Sequence, residues 1–409
     1  MASDKASSFW IAFYVLGMLA TGTLNTITVK VQFTMQSIGV GGHVQTFQKP
    51  WFGTWNMMEA MALVGLCEWI GRCLSKPPSD KEVPLIDKAP ASSGPGAQVS
   101  YRKKALLVSV PAAFDLLATA LCCIGMLYIP ASVWQMLRGS ALVFTAIFSI
   151  IFLHRRMRAY QWFGICFCVV GVVCVGMANV LGEEEASGSD SSGSSDGSDG
   201  NGTSMLMFGM FLVLMGQVVQ AAQVIAEEYL MKVVDLPGMQ VVGLEGFWGL
   251  LMMILVVYPA LMILPGADHG HQEDIVDTLV MLQNNPNLLL VVGLYLFSCG
   301  SFNAFGIRIT GYLSSVHRMM LDASRTTLIW GFGLFVHYRV DPDSAFGEVW
   351  TVYSYLQLLG FVIIIFGQAT YAEVIRLPFF TYPAADVFMI PSPSAAMNLS
   401  SPLPPHRDD

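Results

Sequence analysis

The chain has 409 residues, of which 54% are hydrophobic and 12% are charged. Soluble proteins carry about 25% charged residues, so this composition excludes an ordinary soluble protein and predicts one that uses a lipid bilayer as its solvent. The net charge of −8 excludes the basic surface that nucleic-acid binding requires.

Ten stretches are long and apolar enough to cross the hydrocarbon core, which takes about 20 residues of α-helix. In chain order they are 9–29, 51–74, 105–128, 131–153, 160–181, 205–231, 239–264, 287–309, 313–337 and 346–372. The first stretch follows Lys5, as a signal peptide would. Its apolar run is longer than that of a signal peptide and has Asn25 and Lys30 at its far end, so we interpret it as a span.

The loops predict an orientation for these spans. Basic residues concentrate in 75–104 and in 154–159, which lie on the same side of the membrane and mark it as cytoplasmic together with both termini. On the opposite side, 182–204 is acidic and rich in Ser and Gly, which predicts a disordered luminal linker. This linker contains Asn201 in an Asn-Gly-Thr glycosylation sequon.

The linker divides the spans into two sets of five. An odd number of spans in each half forces the second half to insert upside down. Residues 136–138 (Met-Leu-Arg) align with 320–322 (Met-Leu-Asp), and Glu59 aligns with Glu245. We therefore predict an all-α polytopic membrane protein with two inverted five-helix repeats, 9–181 and 205–372. A cytoplasmic N-tail, 1–8, and a Pro-rich cytoplasmic C-tail, 373–409, flank them.

Polar and ionisable side chains inside the spans are the candidates for a solute site, because a charge in the bilayer is costly and is retained for function. The candidates for substrate binding or coupling are Asn25, Lys30, Glu59, Asp115, Gln135, Arg138, Gln220, Glu227, Glu245, Asn303, Arg318, Asp322 and Arg325. The alternative interpretation is a structural ion-pair network that holds the bundle together.

Helical rise places several of these charges at one depth. Arg138, Arg325 and Glu59 each lie roughly 11–12 Å from the luminal surface at about 1.5 Å per residue. Arg318, Asp322 and Arg325 have the spacing i, i+4, i+7 and share one helix face. We expect Asp322 to pair within its own helix, which leaves Arg138 to pair with Glu59 or Asp115.

Enzymatic motifs are absent from the sequence. There is no Walker A loop, zinc-protease motif, serine nucleophile elbow or Cys/His zinc spacing. We therefore expect no catalytic activity, no metal and no cofactor.

Four segments resemble a known family. They are GTLNT at 22–26, SVWQMLRG at 132–139, GLEG at 243–246 and MLDASRT at 320–326. Together with the spacing of nearly all ten spans, they are similar to solute carrier family 35, subfamily F. The resemblance implies the drug/metabolite transporter (EamA-type) fold and a lysosomal, vacuolar or Golgi membrane. The paired-asparagine and lysine signatures of true nucleotide-sugar carriers are missing from the seventh and ninth spans.

The combined evidence predicts a secondary active transporter of a small organic solute that works by alternating access, driven by protons or by an exchanged solute. Arg138 and Arg325 would hold an anionic group or balance the acids. The alternative is a non-transporting scaffold that recruits partners through its cytoplasmic loop and tail. The expected partners are the solute and the lipid bilayer, with a homodimer left open and nucleic acid excluded.

Overall fold

The computed structural model describes residues 2–74, 101–126, 128–129, 137–187, 199–268, 270–341 and 347–382. This part of the chain is almost entirely helical. Its helices are α1 Ala2–Thr34, α2 Pro50–Leu74, α3 Tyr101–Leu107, α4 Ser109–Met126, α5 Ala141–Leu153, α6 Ala159–Ser187, α7 Asp199–Lys232, α8 Gly238–Met252, α9 Tyr258–Ile263, α10 Ile275–Asn284, α11 Pro286–Tyr312, α12 Ser315–Phe335 and α13 Ser354–Tyr371. Three short strands are β1 Gln36–Ile38, β2 Val44–Thr46 and β3 Pro265–Asp268.

A helix overlaps each of the ten predicted spans, but seven helical segments of the described chain are long and apolar enough to cross a membrane. The other three predicted spans contain α2, α5 and α12. Helix α5 has only 13 residues, and α2 and α12 carry ionisable side chains along their length. The structure thus supports a polytopic all-helical membrane protein with seven spans by this measure, fewer than the ten predicted.

Large apolar side chains cover the outer surface of the bundle. Leu16, Ile263 and Leu290 are 67%, 82% and 70% exposed. A soluble protein rarely exposes contiguous apolar surface on this scale. Helices, which satisfy their own backbone hydrogen bonds, can present such side chains to lipid.

The helices pack in a regular pattern of neighbours. Helix α2 packs on α8, α5 on α12 and α6 on α13, so each of these pairs joins the first half of the chain to the second. The remaining main contacts come in three matched sets. Helix α1 packs on α11 as α4 packs on α7, α1 on α12 as α5 on α7, and α2 on α11 as α4 on α8.

Glycines set the closest of these contacts. Where α2 crosses α8, a Cβ added to Gly65 would lie 2.4 Å from the Cα of Gly243. Any side chain at either position would push the two backbones apart, so small residues are what allow helices to approach this closely. Gly164 and Gly171 likewise meet the backbone of α13, so glycines also allow α6 and α13 to pack closely.

The acidic linker predicted at 182–204 is helical at both of its described ends. Helix α6 continues to Ser187 and α7 begins at Asp199, with residues 188–198 outside the described part. Asn201 therefore falls in the first turn of α7, where its side chain is not described. The C-tail is described only as far as residue 382.

Two loops between predicted spans meet at one end of the bundle. Strands β1 and β2 form an antiparallel hairpin, and α10 lies beside β1. The Ser37 hydroxyl donates to the backbone oxygen of Met281 at 2.6 Å. We call β1, β2, Lys49 and the segment 264–285 the hairpin cap.

Lys49 is the electrostatic centre of the hairpin cap. Its ammonium lies 2.9 Å from Asp277, which is fully buried, and also contacts Asp268. Burial lowers the pKa of Lys49, but the hydrogen bonds and charges of the two aspartates outweigh burial and raise it above its usual value. This buried ion pair fastens the loop before α2 to the loop before α10.

Glu273 makes a second fastening in the hairpin cap. Its carboxylate accepts hydrogen bonds from the backbone nitrogens of Trp51 at 2.8 Å and Phe52 at 2.7 Å, in the first turn of α2. Such free N–H groups are natural partners for an acid. Burial raises the pKa of the Glu273 carboxyl to about 7, although both N–H donors and Lys49 act to lower it.

Candidate functional site

A cavity lies between the two halves of the chain. Its empty volume is about 1110 Å³ including the solvent at its opening. Helices α1, α5 and α6 of the first half and α7, α12 and α13 of the second half contribute to its walls. It extends toward the end of the bundle at which α1 and α12 finish and α13 begins. We call this the Lys30 end and the opposite end the Ser315 end.

Three charged side chains form the deep part of the cavity wall. Nη2 of Arg138 lies 3.3 Å from Oδ2 of Asp322, and Nη2 of Arg325 lies 3.2 Å from Oδ1 of the same carboxylate. The guanidinium of Arg325 also lies 5.2 Å from the centre of the Phe302 ring, a cation–π distance. We call Arg138, Asp322 and Arg325 the Asp322 triad.

The Asp322 triad tests the pairing expected from sequence. Asp322 pairs with Arg325 on its own helix, which confirms that part of the expectation. The expectation that Arg138 would turn to Glu59 or Asp115 was wrong, because one carboxylate has two oxygens and serves both arginines. The side chain of Arg138 remains 35% exposed, against 8% for Arg325, so Arg138 presents its guanidinium to the cavity.

Polar side chains also line the rest of the cavity. Lys30, which is exposed, lies near the C-terminal end of α1, and the charge of Glu348 interacts with it. Gln220 of α7 and Gln357 of α13 contribute amides. The sequence analysis missed Glu348. This acid lies two residues inside the predicted span 346–372, and an ionisable residue inside a span was the signal that identified the other candidates.

One wall of the cavity is aromatic. Trp330 is 8% exposed, and its ring centre lies 5.5 Å from that of Phe361 and 5.6 Å from that of Trp350. The sequence analysis did not single out Trp330 as a candidate. The cavity thus combines charged groups with an apolar face.

A second group of charges lies toward the Ser315 end and does not line this cavity. Arg318 forms an ion pair with Glu227, which is buried. Gln223 bridges Glu227 at 3.3 Å and Glu245 at 3.0 Å through its amide nitrogen. The charges of Glu227 and Arg318 also act on the carboxyl group of Asp115. We call Asp115, Gln223, Glu227, Glu245 and Arg318 the Arg318 cluster.

A third group seals the Ser315 end. The buried carboxylate of Glu228 lies 2.5 Å from Nη2 of Arg155 and 2.7 Å from Nζ of Lys232, and it accepts the backbone N–H of Ser315 at 2.9 Å. Since Ser315 is the first residue of α12, this carboxylate occupies the anion-binding N-terminus of that helix. The Glu228 contacts therefore join the loop after α5 to α7 and α12.

The remaining predicted residues are dispersed. Asn303 donates to the backbone oxygen of Cys299 at 3.1 Å and receives a contact from Arg318 at 3.5 Å. Oδ1 of Asn25 is buried and has no hydrogen-bond partner among the described residues. Glu59 is half-buried and makes no ion pair within the described part of the chain. Gln135 lies outside the described residues.

Within the described ranges, no three His, Cys, Asp or Glu side chains are grouped so that they could hold a metal ion. The charged groups instead form ion pairs with one another. What this arrangement can do chemically is bind a charged or hydrogen-bonding solute in the cavity while the Ser315 end remains closed.

Comparison with known proteins identifies the family. The sequence profile of the nucleotide-sugar transporter family matches residues 97–215. Solute carrier family 35 member F6 of Rattus norvegicus is 30% identical over 359 residues, which is 87% of this chain and 86% of that protein. Member F6 of Homo sapiens is 29% identical over the same shares of the two chains. An uncharacterized protein of Schizosaccharomyces pombe is 30% identical over 292 residues, 70% of this chain and 81% of that one.

The matches cover most of both chains, and this chain has the long apolar helices expected of a membrane carrier. The likeness indicates a solute transporter rather than an enzyme. The chain belongs to solute carrier family 35, among its subfamily F-like, nucleotide-sugar-transporter-like members.

Proposed function

We propose that this protein is a secondary active transporter that moves a small organic solute by alternating access, with the cavity around the Asp322 triad as its solute site. The observation that carries the proposal is a polar cavity between the two halves that extends to the Lys30 end and is barred at the Ser315 end by ion pairs. A site reached from one side at a time is what alternating access requires.

The pattern of helix neighbours supports a duplicated architecture. The counterparts in the two halves are α1 and α7, α2 and α8, α4 and α11, α5 and α12, and α6 and α13. Exchanging each helix with its counterpart leaves the set of main contacts unchanged. The matched contacts α1–α11 and α4–α7 show this most clearly. Ten spans in two inverted halves of five would produce this pattern, and the two halves could then rock about the central cavity.

The proposed orientation places the Ser315 end in the cytoplasm with both termini and the Lys30 end in the lumen of an endomembrane compartment. The basic loop 154–159 supports it, because Arg155 lies at the Ser315 end. The driving partner would be a proton or an exchanged solute. The scaffold alternative would act through the loop 75–104 and the tail 373–409, of which 75–100 and 383–409 lie outside the described residues.

Thiol labelling from each face tests the alternating cavity. Thr326→Cys places a thiol in the cavity wall, in a background in which the exposed native cysteines Cys67, Cys73 and Cys166 are changed to Ser. In sealed vesicles, an impermeant maleimide should label it from the Lys30 face only. Glu228→Gln should increase labelling from the Ser315 face several-fold, because it weakens the barrier.

The matched control is Glu68→Gln, which removes an acid from an exposed pair with Arg72 on α2 and should leave the labelling pattern unchanged. Equal labelling from both faces in the parent, or no effect of Glu228→Gln, would contradict the alternating cavity. Uptake by the same vesicles, measured over a metabolite extract, tests transport itself.

A further inference from the structure

A second cavity lies on the outside of the bundle at the Lys30 end. Its walls come from the first turns of α2, from α9 with the π-helical turn Met253–Val257 before it, and from α10. Its empty volume is about 1040 Å³ including the space at its opening, and none of its described lining residues lines the central cavity. We call this cavity, between Trp55, Tyr258, Glu273 and Leu279, the outer groove.

The outer groove opens toward the bilayer. Ile254, Met262 and Leu279 line it and are 53%, 46% and 51% exposed. Ile254 and Met262 belong to the segment Gly238–Ile263, which is long and apolar enough to cross a membrane. They are eight positions apart, which corresponds to about 12 Å of helix, so the groove follows this segment from the hairpin cap into the hydrocarbon. An occupant of the groove therefore comes from the lipid phase.

Polar groups are concentrated at the hairpin-cap end of the outer groove. The ring centres of Trp55 and Tyr258 lie 5.6 Å apart, and the charge of Glu273 acts on the Tyr258 phenol. The indole N–H of Trp55 and the hydroxyl of Tyr258 make no hydrogen bond to any residue that the structure describes, although both side chains are partly buried. Such groups usually have a partner. The pair therefore offers a donor and an acceptor to a hydroxyl group near the membrane surface.

The charges of the groove favour an uncharged head group. Its described lining residues include one carboxylic acid, Glu273, and no lysine, arginine or histidine. Lys49 of the hairpin cap does not line the groove and is paired with Asp268 and Asp277. The phosphate of a phospholipid would therefore lie beside an acid without a cation to pair with, which is unfavourable where the dielectric constant is low. A lipid whose head is a single hydroxyl group avoids this cost.

The walls of the groove favour a rigid body over flexible chains. Phe52, Trp55, Tyr258 and Pro259 present rings on one side. A flat, rigid molecule packs against such rings without the loss of conformational freedom that a flexible acyl chain suffers. We propose that the outer groove binds a sterol, with its hydroxyl group at Trp55 and Tyr258 and its ring system along the wall toward Ile254. This site lies apart from the proposed solute site and does not depend on transport.

Photolabelling of the full chain in reconstituted vesicles tests the proposal. The probes are cholesterol, diacylglycerol and phosphatidylcholine, each carrying a diazirine and an alkyne, at equal fractions of the bilayer. Labelled peptides are identified by mass spectrometry. The cholesterol probe should label the peptides that contain Trp55, Tyr258 and Leu279 at least about fivefold more than the other two probes. Unlabelled cholesterol should compete for this labelling, whereas cholestane, which lacks the hydroxyl group, should compete weakly.

Two variants test the site itself. Leu279→Trp fills the outer groove from its exposed rim and should lower groove labelling by the cholesterol probe at least about fivefold. Its matched control is Leu290→Trp, at a 70% exposed leucine of α11 that does not line the groove, and labelling should be unchanged. Tyr258→Phe removes only a hydroxyl group, so it should reduce the advantage of cholesterol over cholestane as a competitor several-fold.

Several results would overturn the proposal. Groove peptides labelled as strongly by the diacylglycerol or phosphatidylcholine probe as by cholesterol would show a general lipid contact instead of a sterol site. Absence of label from these peptides, or equal labelling of Leu279→Trp and Leu290→Trp, would exclude the groove. If Leu279→Trp fails to fold, as judged by its unfolding midpoint, the competition measured in Tyr258→Phe decides, and an unchanged preference for cholesterol there contradicts the proposed hydroxyl contact.

Discussion

Replacing Lys49 by Met should destabilise the protein strongly. Lys49 is 4% exposed, and its ammonium is shared by Asp268 and Asp277, of which Asp277 is fully buried. Met has nearly the same length, so the substitution removes the charge and leaves the packing. Removing one partner of a buried ion pair costs about 3–5 kcal/mol, because the carboxylates left behind are desolvated without a counter-charge.

Thermal unfolding of the purified protein in detergent measures this cost. A loss of that size should lower the midpoint by on the order of 10 °C. Adding Asp268→Asn and Asp277→Asn to Lys49→Met should restore most of the loss, since the unpaired charges are then gone. Lys104→Met is the matched control, at a half-buried lysine of α3 whose 3.4 Å hydrogen bond to the backbone oxygen of Asp235 is exposed. If Lys49→Met and Lys104→Met unfolded at the same temperature, the reasoning about the hairpin cap would be refuted.

Three further predictions follow from contacts of the fold. The pKa of Glu273 is about 7 in the folded protein, above the ordinary value of 4.5. Its contribution to stability is therefore full below pH 4.5 and is lost as the pH rises through 7, a change of about 3 kcal/mol in the free energy of unfolding. Glu273→Gln should remove this change from a series of unfolding midpoints measured at increasing pH. Gly243→Ala, whose Cβ would meet Gly65, should cost about 1–3 kcal/mol or more, whereas Gly293→Ala, in open space, should not; equal midpoints would count against the tight crossing. Gln368→Leu removes a side-chain donor that lies 2.6 Å from an α12 carbonyl and should cost about 1–3 kcal/mol in the same assay, a result that an unchanged midpoint would exclude.

Helical spacing predicts only those contacts of the site that lie within one helix. The pairing of Asp322 with Arg325 follows from a separation of three residues, which places two side chains on neighbouring turns. The partner of Arg138 could not be obtained in this way, because it depends on how α5 approaches α12. The alignment of 136–138 with 320–322 had already placed Arg138 and Asp322 at matching positions, and these two residues meet across the bundle.

The contacts of the hairpin cap could not be predicted from the sequence. Its parts come from two loops more than 200 positions apart, as in the contact of Lys49 with Asp277. Neither loop has the long apolar run that identifies a span, and a three-residue strand such as β1 is too short for an alternating pattern to be recognised. Buried charges in loops need a partner, and only the fold shows which residue supplies it.

The hairpin cap also has a mechanical consequence. Hydrogen bonds of the hairpin cap join the start of α2 to the segment between α9 and α11. At Gly65 and Gly243, α2 packs against α8 without intervening side chains. We therefore expect α2 of the first half and α8 and α11 of the second half to move together as one unit. If the proposed alternating access operates, we expect the motion that opens the Ser315 end to occur in the helices around the cavity, which are α1, α5, α6, α7, α12 and α13.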